Sequence, residues 1–469
     1  MKIMKMIVLL HQRSLLFLLP IFFVASFTIP SSSISLPHQH PHPESIVQEL
    51  HRRVNESFSR RQTLETNCLT GNPIDDCWRC DLNWFRNRQK LSECGIGFGQ
   101  SAIGGKNGKF YVVSDSSDND PKNPTPGTIR HAVVQTEPLW IIFSSNMHIK
   151  LKKELVFNSY KTVDGRGAEV LITGAGCLML QGVNNIIIHG IEIRDCVQSG
   201  NAMISVGPSH AEHKSKCDGD GIHVHSSSNI WIDHCTLSNC VDGLIDVTEG
   251  STAVTISNNY FSNHDKVMLL GHNDDYSPDS GMQVTVAFNH FGPKLVQRMP
   301  RCRLGYFHVV NNDYTEWELY AVGGSGNPTI NSQGNRYAAN NNKEVTKRLD
   351  TSEKEWKNWN WRSEGDIMVN GAFFVASGSG LSTEYAKAYS LNPNSASLIE
   401  ALTANVGATA LNIPKDSTNE VQPLNPGSSG DNNNDIYPFD IPFTSVAVAV
   451  VVSLELGIFL TCLQIVFIF

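Results

Sequence analysis

Two short acidic clusters carry the densest chemistry in this 469-residue chain: Asp218-Gly219-Asp220 and Asp242-Gly243-Leu244-Ile245-Asp246. Asp242 follows Asp218, and Asp246 follows Asp220, by about 25 residues, the length of one repeat in many coiled or stacked folds. Cations come next, Lys266 within His264-Asp265-Lys266-Val267-Met268-Leu269, then Arg298, Arg301 and Arg303 within Gln297-Arg298-Met299-Pro300-Arg301-Cys302-Arg303. Any one of these aspartates beside a glycine reads equally well as a turn cap, and a lone arginine run is usually solvated. Four carboxylates brought together are different, because like charges repel and hard oxygen ligands without Cys or His suit Ca²⁺, which takes about 6–8 oxygens. Asp218, Asp220, Asp242 and Asp246 are therefore the candidate calcium ligands. A row of aspartate, Ca²⁺, lysine and arginine suits a polyanionic chain whose carboxylates the metal and the cations hold.

That convergence requires an element that stacks such repeats on one another. β-Branched segments recur and end in asparagine: Val254-Thr255-Ile256-Ser257-Asn258-Asn259, Val284-Thr285-Val286-Ala287-Phe288-Asn289, Phe307-His308-Val309-Val310-Asn311-Asn312, and Thr329-Ile330 leading to Asn335. The steps between Asn259, Asn289, Asn312 and Asn335 run from roughly 23 to roughly 30 residues, which is a solenoid period. Each of the four is followed two positions on by an aromatic: Phe261, Phe291, Tyr314 and Tyr337. The asparagines are expected to stack in a turn, with the aromatics stacked beneath. Ile186-Ile187-Ile188 and Ile230-Trp231-Ile232 lie about 44 apart, which reads as two coils of about 22, and Val254 follows Ile230 by one coil of about 24. The expected fold is all-β, a right-handed single-stranded parallel β-helix with strands of roughly 4–6 residues, short flanking helices and a C-terminal linker and tail. The step from Asp242 to Lys266 is one such coil and the longer step from Lys266 to Arg298 one enlarged coil, so the cations stack onto the acidic face. Ile46 to Arg61 has the spacing of a short exposed amphipathic helix, and Leu398 to Leu402 of another.

Composition excludes some functions. With 41% apolar and 17% charged residues the chain is not disordered, and a net charge of −8 gives no basic field for a nucleic-acid partner. Residues 1–26 pair Lys2, Lys5 and Arg13 with the apolar run Ser14 to Val24 and the small residues Ala25 and Ser26, a secretory signal pattern. At the other end, Pro426-Gly427-Ser428-Ser429-Gly430 closes a linker (413–430), and a polar spacer and an apolar tail with Glu455 as its only charge fill 431–469. That order resembles a GPI-attachment signal, with Ser428 and Ser429 as attachment points; a retained tail anchor is the alternative. Ten of the eleven cysteines remain once the tail with Cys462 is removed, an even number that permits disulfides in an exported chain. Cys77-Trp78-Arg79-Cys80 has no second CxxC partner, so structural bridging is expected of it rather than redox or zinc chemistry. The sequon Asn55-Glu56-Ser57 is a candidate glycosylation site.

Many short motifs in order resemble the plant pectate lyases of polysaccharide lyase family 1. They are Asn72-Pro73-Ile74-Asp75-Asp76-Cys77-Trp78-Arg79, Ile96-Gly97-Phe98-Gly99, Pro126-Gly127-Thr128-Ile129-Arg130, Val163-Asp164-Gly165-Arg166-Gly167, Trp231-Ile232-Asp233-His234, Asp242 to Asp246, Val267-Met268-Leu269-Leu270-Gly271-His272 and Gln297 to Arg303. The resemblance covers 69–412, with 40–68 as the family's N-terminal extension. It implies calcium-dependent eliminative cleavage of de-esterified homogalacturonan (polygalacturonate) in the cell wall. Asp220, Asp242 and Asp246 would be the primary Ca²⁺ ligands, joined by Asp218 when substrate brings further calcium. Arg298 would be the general base, and Lys266 and Arg303 would bind galacturonate carboxylates. The resemblance further implies bridges Cys77–Cys94 and Cys177–Cys196, leaving six cysteines open. An arginine base is unusual, since a guanidinium ordinarily keeps its proton far above neutral pH; crowding by calcium, Lys266 and Arg303 would disfavour its charged form and alkaline solution would help. Where the family usually reads Ser-Ile-Phe after Asp-Gly-Asp-Gly-Ile, this chain has His223 followed by Val224-His225-Ser226, and the GPI-like tail is atypical of the group. A pectin lyase acting on esterified chains would leave the four acidic positions unexplained. A non-catalytic pectin-binding wall protein or allergen would leave the intact Lys266, Arg298 and Arg303 set without a task. The whole reading is of a monomer, exported to the wall and tethered by its GPI anchor at the outer face of the plasma membrane.

Overall fold

The β-branched segments form short parallel strands, each hydrogen-bonded to the same segment of the coils before and after it. The computed structural model describes residues 69–408 apart from Leu82, together with Gln48, Glu49 and Arg52. The signal segment (1–26), most of the 40–68 extension with Asn55, the end of the 69–412 span, the 413–430 linker, Ser428 and Ser429, and the 431–469 tail lie outside the described residues. Three parallel sheets of ten, eight and nine strands run side by side along the coil axis, and each coil gives a strand to each sheet in its turn. The molecule is a right-handed parallel β-helix.

Its ten-stranded sheet is buried on both sides: the inner face is mainly apolar, and the outer face mixes apolar residues with buried polar ones such as Thr255, Thr285 and His308. Ile186, Ile188, Ile230, Ile232, Val254 and Ile256 point into the coil interior. Ile187 and Trp231 point the other way and are covered by Ile74, Trp78, Trp84 and Phe85 from the N-terminal segment. The segment holds its shape because Asn72 caps the helix Pro73–Trp78, accepting from the backbone N–H groups of Ile74 and Asp75, with proline pre-set at the first turn. Further along, Ala287, Phe288 and Val310 are covered by Ala396, Ile399 and Leu402, the last two from the short helix Ile399–Leu402 that the sequence spacing marks. Asn72 joins all three parts: its side-chain amide donates to Asn258 Oδ1 at 2.7 Å and to the Leu402 carbonyl at 2.8 Å.

One expected coil count is wrong. Ile186 and Ile230 are direct register partners on adjacent rungs, so the stretch between them is one coil and not two. The extra length is looped out, chiefly as the antiparallel hairpin Ala202–Gly207 with His210–Lys214. A parallel solenoid keeps only its strand register, and a turn can lengthen at little cost because loop-closure entropy grows slowly with length.

The asparagine ladder is present and fully buried. Asn259 Nδ2 donates to Asn289 Oδ1 at 3.0 Å, Asn289 Nδ2 to Asn312 Oδ1 at 2.9 Å, and Asn312 Nδ2 to Asn335 Oδ1 at 3.0 Å; each acceptor also takes the backbone N–H of the preceding asparagine. Beneath it, Phe261, Phe291, Tyr314 and Tyr337 stack with ring centroids 5.1, 4.5 and 4.6 Å apart. Replacing Asn312 with Ala leaves the Asn289 backbone N–H without its acceptor and takes the Asn312 amide donor from the Val286 carbonyl, both buried. Unfolding by denaturant is expected to show a loss of about 3 kcal/mol, the sum of roughly two unsatisfied buried groups.

A second buried network fastens the N-terminal segment. Asp164, His189, Asp233 and Ser257 are register partners on successive rungs. Asp164 accepts from Arg88, Arg166 and Trp140 at 2.8–3.0 Å. Asp233 accepts from His189 Nδ1 at 2.8 Å and His234 Nδ1 at 2.6 Å, and His234 Nε2 meets Asp75 Oδ1 of the capped helix at 3.0 Å. Burial pushes His189 down to about 4, whereas for His234 burial is outweighed by the charges of Asp233 and Asp75, which push it up to about 9. A group raised in the folded state stabilises fully below its unfolded value of ~6.5, and that stability is lost as pH rises through about 9. The gap in thermal midpoint between the native chain and a His234→Gln variant is therefore expected to be widest near pH 6 and to close between pH 7 and pH 10.

Candidate active groove

Strands of the eight-stranded sheet alternate one side chain into the core and one outward. In Ile222–His225, Ile222 and Val224 are inside and His223 and His225 outside; in Ile245–Thr248, Ile245 and Val247 are inside while Asp246 and Thr248 lie on the outer face; in Arg301–Arg303, Cys302 is inside and both arginines are outside. Just before these strands the backbone climbs a ladder: Gly221 N–H donates to the Gly243 carbonyl at 2.9 Å, Leu244 to Val267 at 3.0 Å, Val267 to Gln297 at 3.1 Å and Met268 to Arg298 at 2.7 Å. Asp220, Asp242, Lys266 and Arg298 therefore stand at one edge of one sheet, and Asp246 and Arg303 on its outer face. The long step from Lys266 to Arg298 is a single coil, since Lys266 pairs in register with Gln297, and it is lengthened by the loop holding the short 3₁₀ turn Ser277–Gly281.

The stacking is diagonal where sequence spacing suggests a straight column. Asp246 pairs in register with His223, and Asp220 lies outside that pairing, ahead of the strand. Asp220 Oδ1 accepts the Gly243 N–H at 2.7 Å, and its Oδ2 lies 3.1 Å from His223 Nδ1. Asp246 Oδ1 accepts only a long 3.3 Å bond from Leu269 N–H. A Cβ added to Gly243 would collide with Asp246 Oδ1 and lie 3.1 Å from Asp220 Oδ1, so two carboxylates from successive coils converge over a residue that has no side chain. Asp242 is turned toward Lys266, whose Nζ is 2.9 Å from its Oδ1, and Asp218 is exposed at the rim.

Charges in the groove reflect how tight it is. Burial, then the charges of Asp220 and Asp242, hold the Asp246 carboxyl well above the usual carboxylate range, against the pull of His223 and Arg298. Burial and Asp220 raise Asp218 as well. His223 goes up to about 9: burial opposes this, but the Asp220 hydrogen bond and the charges of Asp220, Asp246 and Asp218 prevail. On the basic side, burial and the neighbouring charge of Arg301 lower Arg303, whose Nη1 donates to the carbonyls of Gly271 at 3.1 Å and His272 at 2.7 Å and whose Nε lies 3.3 Å from Asp274. Arg298 adopts a left-handed backbone (φ 65°), which costs a residue with a Cβ about 1–2 kcal/mol, and its buried Nε has no hydrogen-bond partner. Beside it, burial pushes the Tyr320 phenol up to about 12 despite the nearby Arg301 and Arg298 cations.

His223 and Tyr320 are the groove residues that sequence reasoning does not select. His223 carries a signal, since it precedes Asp246 by one coil; Tyr320 lies in a loop of the coil after Arg298 and carries none. Bridges link Cys77 to Cys94 and Cys177 to Cys196, and Cys80 is also disulfide-bonded. Of the other cysteines among the described residues, Cys217, Cys235, Cys240 and Cys302 are free thiols.

Fold and groove together define a parallel β-helix protein with carboxylates and cations stacked along one sheet edge. The pectate lyase family profile matches residues 101–411. The chain is 60% identical over 412 residues to probable pectate lyase 12 of Arabidopsis thaliana, spanning 84% of this chain and 85% of that one, and 57% identical over 391 residues to a pectate lyase of Zinnia elegans, spanning 83% and 96%. Among solved structures, that of jun a 1, the major allergen from cedar pollen, superposes with a TM-score of 0.70 at 48% identity, covering 72% of this chain and all of that one. The chain belongs to the pectate lyase family and is an enzyme of the polysaccharide lyase class.

Gly243→Ala tests the convergence directly. The new methyl must displace the Asp246 or the Asp220 carboxylate while leaving the backbone conformation open to alanine, so calorimetric titration is expected to show divalent-cation affinity at least tenfold weaker with an unchanged circular dichroism spectrum.

Proposed function

We propose that this groove cleaves polygalacturonate by calcium-dependent β-elimination. The observation that carries the reading is the meeting of Asp220 and Asp246 over Gly243, on the face that also presents Arg298, Lys266 and Arg303. Oxygen donors converging over Gly243 suit a hard divalent cation, and Asp220, Asp246 and Asp242 would hold Ca²⁺, with Asp218 at the rim for a further ion. When bound, calcium would place positive charge on a uronate carboxylate and stabilise the charge that develops there.

The chain's own groups supply the remaining steps. Lys266 and Arg303 hold galacturonate carboxylates, with Arg303 braced by two backbone carbonyls so that its guanidinium is already oriented. Arg298, as the neutral guanidine, takes the proton from C5, α to the carboxylate; the C5–H electron pair becomes the C4–C5 double bond as the C4–O bond breaks, and the departing glycosidic oxygen is protonated by water, giving a 4,5-unsaturated end. Its unpartnered Nε, its left-handed backbone and the cations around it fit a side chain held for proton transfer rather than for an ion pair. An esterified substrate would lack the carboxylate that these cations serve, and a non-catalytic role would leave Arg298 unexplained. We further propose that the chain is exported as a monomer to the cell wall, with 69–412 as its catalytic domain, and is held at the membrane by a GPI anchor on Ser428 or Ser429.

The test is ultraviolet absorbance of unsaturated uronide. Polygalacturonate with Ca²⁺ is expected to give product, esterified pectin little, and EDTA none. Arg298→Lys is expected to lower turnover on the order of a thousandfold while polymer binding is kept. Full activity in EDTA, or in Arg298→Lys, would sink the reading.

A further inference from the structure

Oxygen ligands alone account for calcium, but one ligating atom of each of Asp218, Asp220 and His223 lies within 4.8 Å of the others, and the third residue is not an oxygen donor. His223 is held in a particular way. Its strand pairs with Ile245–Thr248, and its Nε2 lies 3.0 Å from Thr248 Oγ1. With Nε2–H donating to the buried threonine hydroxyl, Nδ1 is the nitrogen directed at Asp220 Oδ2, 3.1 Å away. A metal ion binding between the two atoms would take the Nδ1 lone pair and an Asp220 oxygen together, displacing any proton held there. This is how metal-ligating histidines are usually prepared: a fixed group takes one ring nitrogen, which sets the ring plane and leaves the other nitrogen to bind.

The spacing has the right size. A tetrahedral ion with bonds of ~2.0–2.2 Å to nitrogen and oxygen separates adjacent ligand atoms by about 3.3 Å, close to the distance already set between His223 Nδ1 and Asp220 Oδ2. Calcium, at ~2.3–2.6 Å with oxygen donors, gains little from an imidazole, whereas imidazole strongly favours first-row transition ions. One Asp218 oxygen lies within 4.8 Å of the other two ligand atoms, so two carboxylates and one imidazole nitrogen would leave a fourth position open to water or to a uronate oxygen.

We propose that Asp218, Asp220 and His223 form a mixed nitrogen–oxygen site for a first-row transition ion such as Zn²⁺, overlapping the acidic groove at Asp220. Zinc there would take Asp220 from calcium and suppress the lyase. That competition rests on the calcium reading above; the nitrogen ligation does not.

The decisive experiment loads calcium-free full-length protein with one equivalent of Cu²⁺ and records its electron paramagnetic resonance, with Zn²⁺ titrated calorimetrically in parallel. Nitrogen superhyperfine structure is expected in the native protein and its loss in His223→Gln, together with at least tenfold weaker Zn²⁺ binding in that variant; circular dichroism reports whether the variant is folded. An oxygen-only copper spectrum in the native protein, or a signal and a zinc affinity untouched by His223→Gln, overturns the site. An oxygen-only native spectrum overturns the site even if His223→Gln does not fold, and His223→Asn serves as the second variant in which the nitrogen signal must be lost. Calcium titrated into the native protein separates the two readings, since a chain that shows the nitrogen signal but binds no calcium keeps this site and loses the calcium groove.

Discussion

Parallel register between successive coils is the constraint on which everything else depends. Each strand is short, and no coil can bury its apolar face alone, so the core exists only because Ile186 sits under Ile230, Ile230 under Val254 and Val254 under Val284. A slip of one residue would turn every inward side chain outward. Two devices prevent it. The buried asparagine ladder gives each coil one acceptor at one height, and the aromatic stack beneath fills the turn with rings that fit only in line.

The groove exploits that rigidity to hold charges that would otherwise separate. Asp220, Asp242 and Asp246 repel one another, and in water they would move apart at no cost. Their backbones are fixed by the coil register, so burial first and then mutual repulsion hold Asp246 above the usual carboxylate range, and nearby cations are recruited, with His223 beside Asp220 and Lys266 beside Asp242. A site strained in this direction gains most from a bound cation, because binding relieves repulsion already present in the fold.

The N-terminal segment completes the solenoid in another sense. The outer face of the ten-stranded sheet exposes Ile187 and Trp231 unless Trp78, Trp84 and Phe85 cover them. It also carries Asp164, His189 and Asp233 in one column, which would be costly to bury unpaired. Arg88 and Asp75 come from the covering segment, Arg88 pairing with Asp164 of that column and Asp75 with His234 beside it, so apolar burial and charge pairing specify the same docked position.

Periodicity alone determined much of this protein: the solenoid, the ladder at 259, 289, 312 and 335, the aromatic stack, and the one face that receives the aspartates and Lys266, Arg298 and Arg303. These features are legible because stacking in a coil converts a spacing of about 24 residues directly into contact. The sequence misled where a loop intruded. The stretch from Ile186 to Ile230 divides evenly into two coils, but the hairpin Ala202–Gly207 with His210–Lys214 makes it one, and no pattern distinguishes looped-out residues from those in a rung. Only the tertiary structure decided that Asp246 stacks on His223 rather than on Asp220, that Gly243 leaves the space where two carboxylates meet, and that Tyr320 stands by Arg298. Register between strands is set by packing summed over the whole sheet, and side-chain direction by local backbone such as the left-handed turn at Arg298; neither quantity is written in the spacing of the residues themselves.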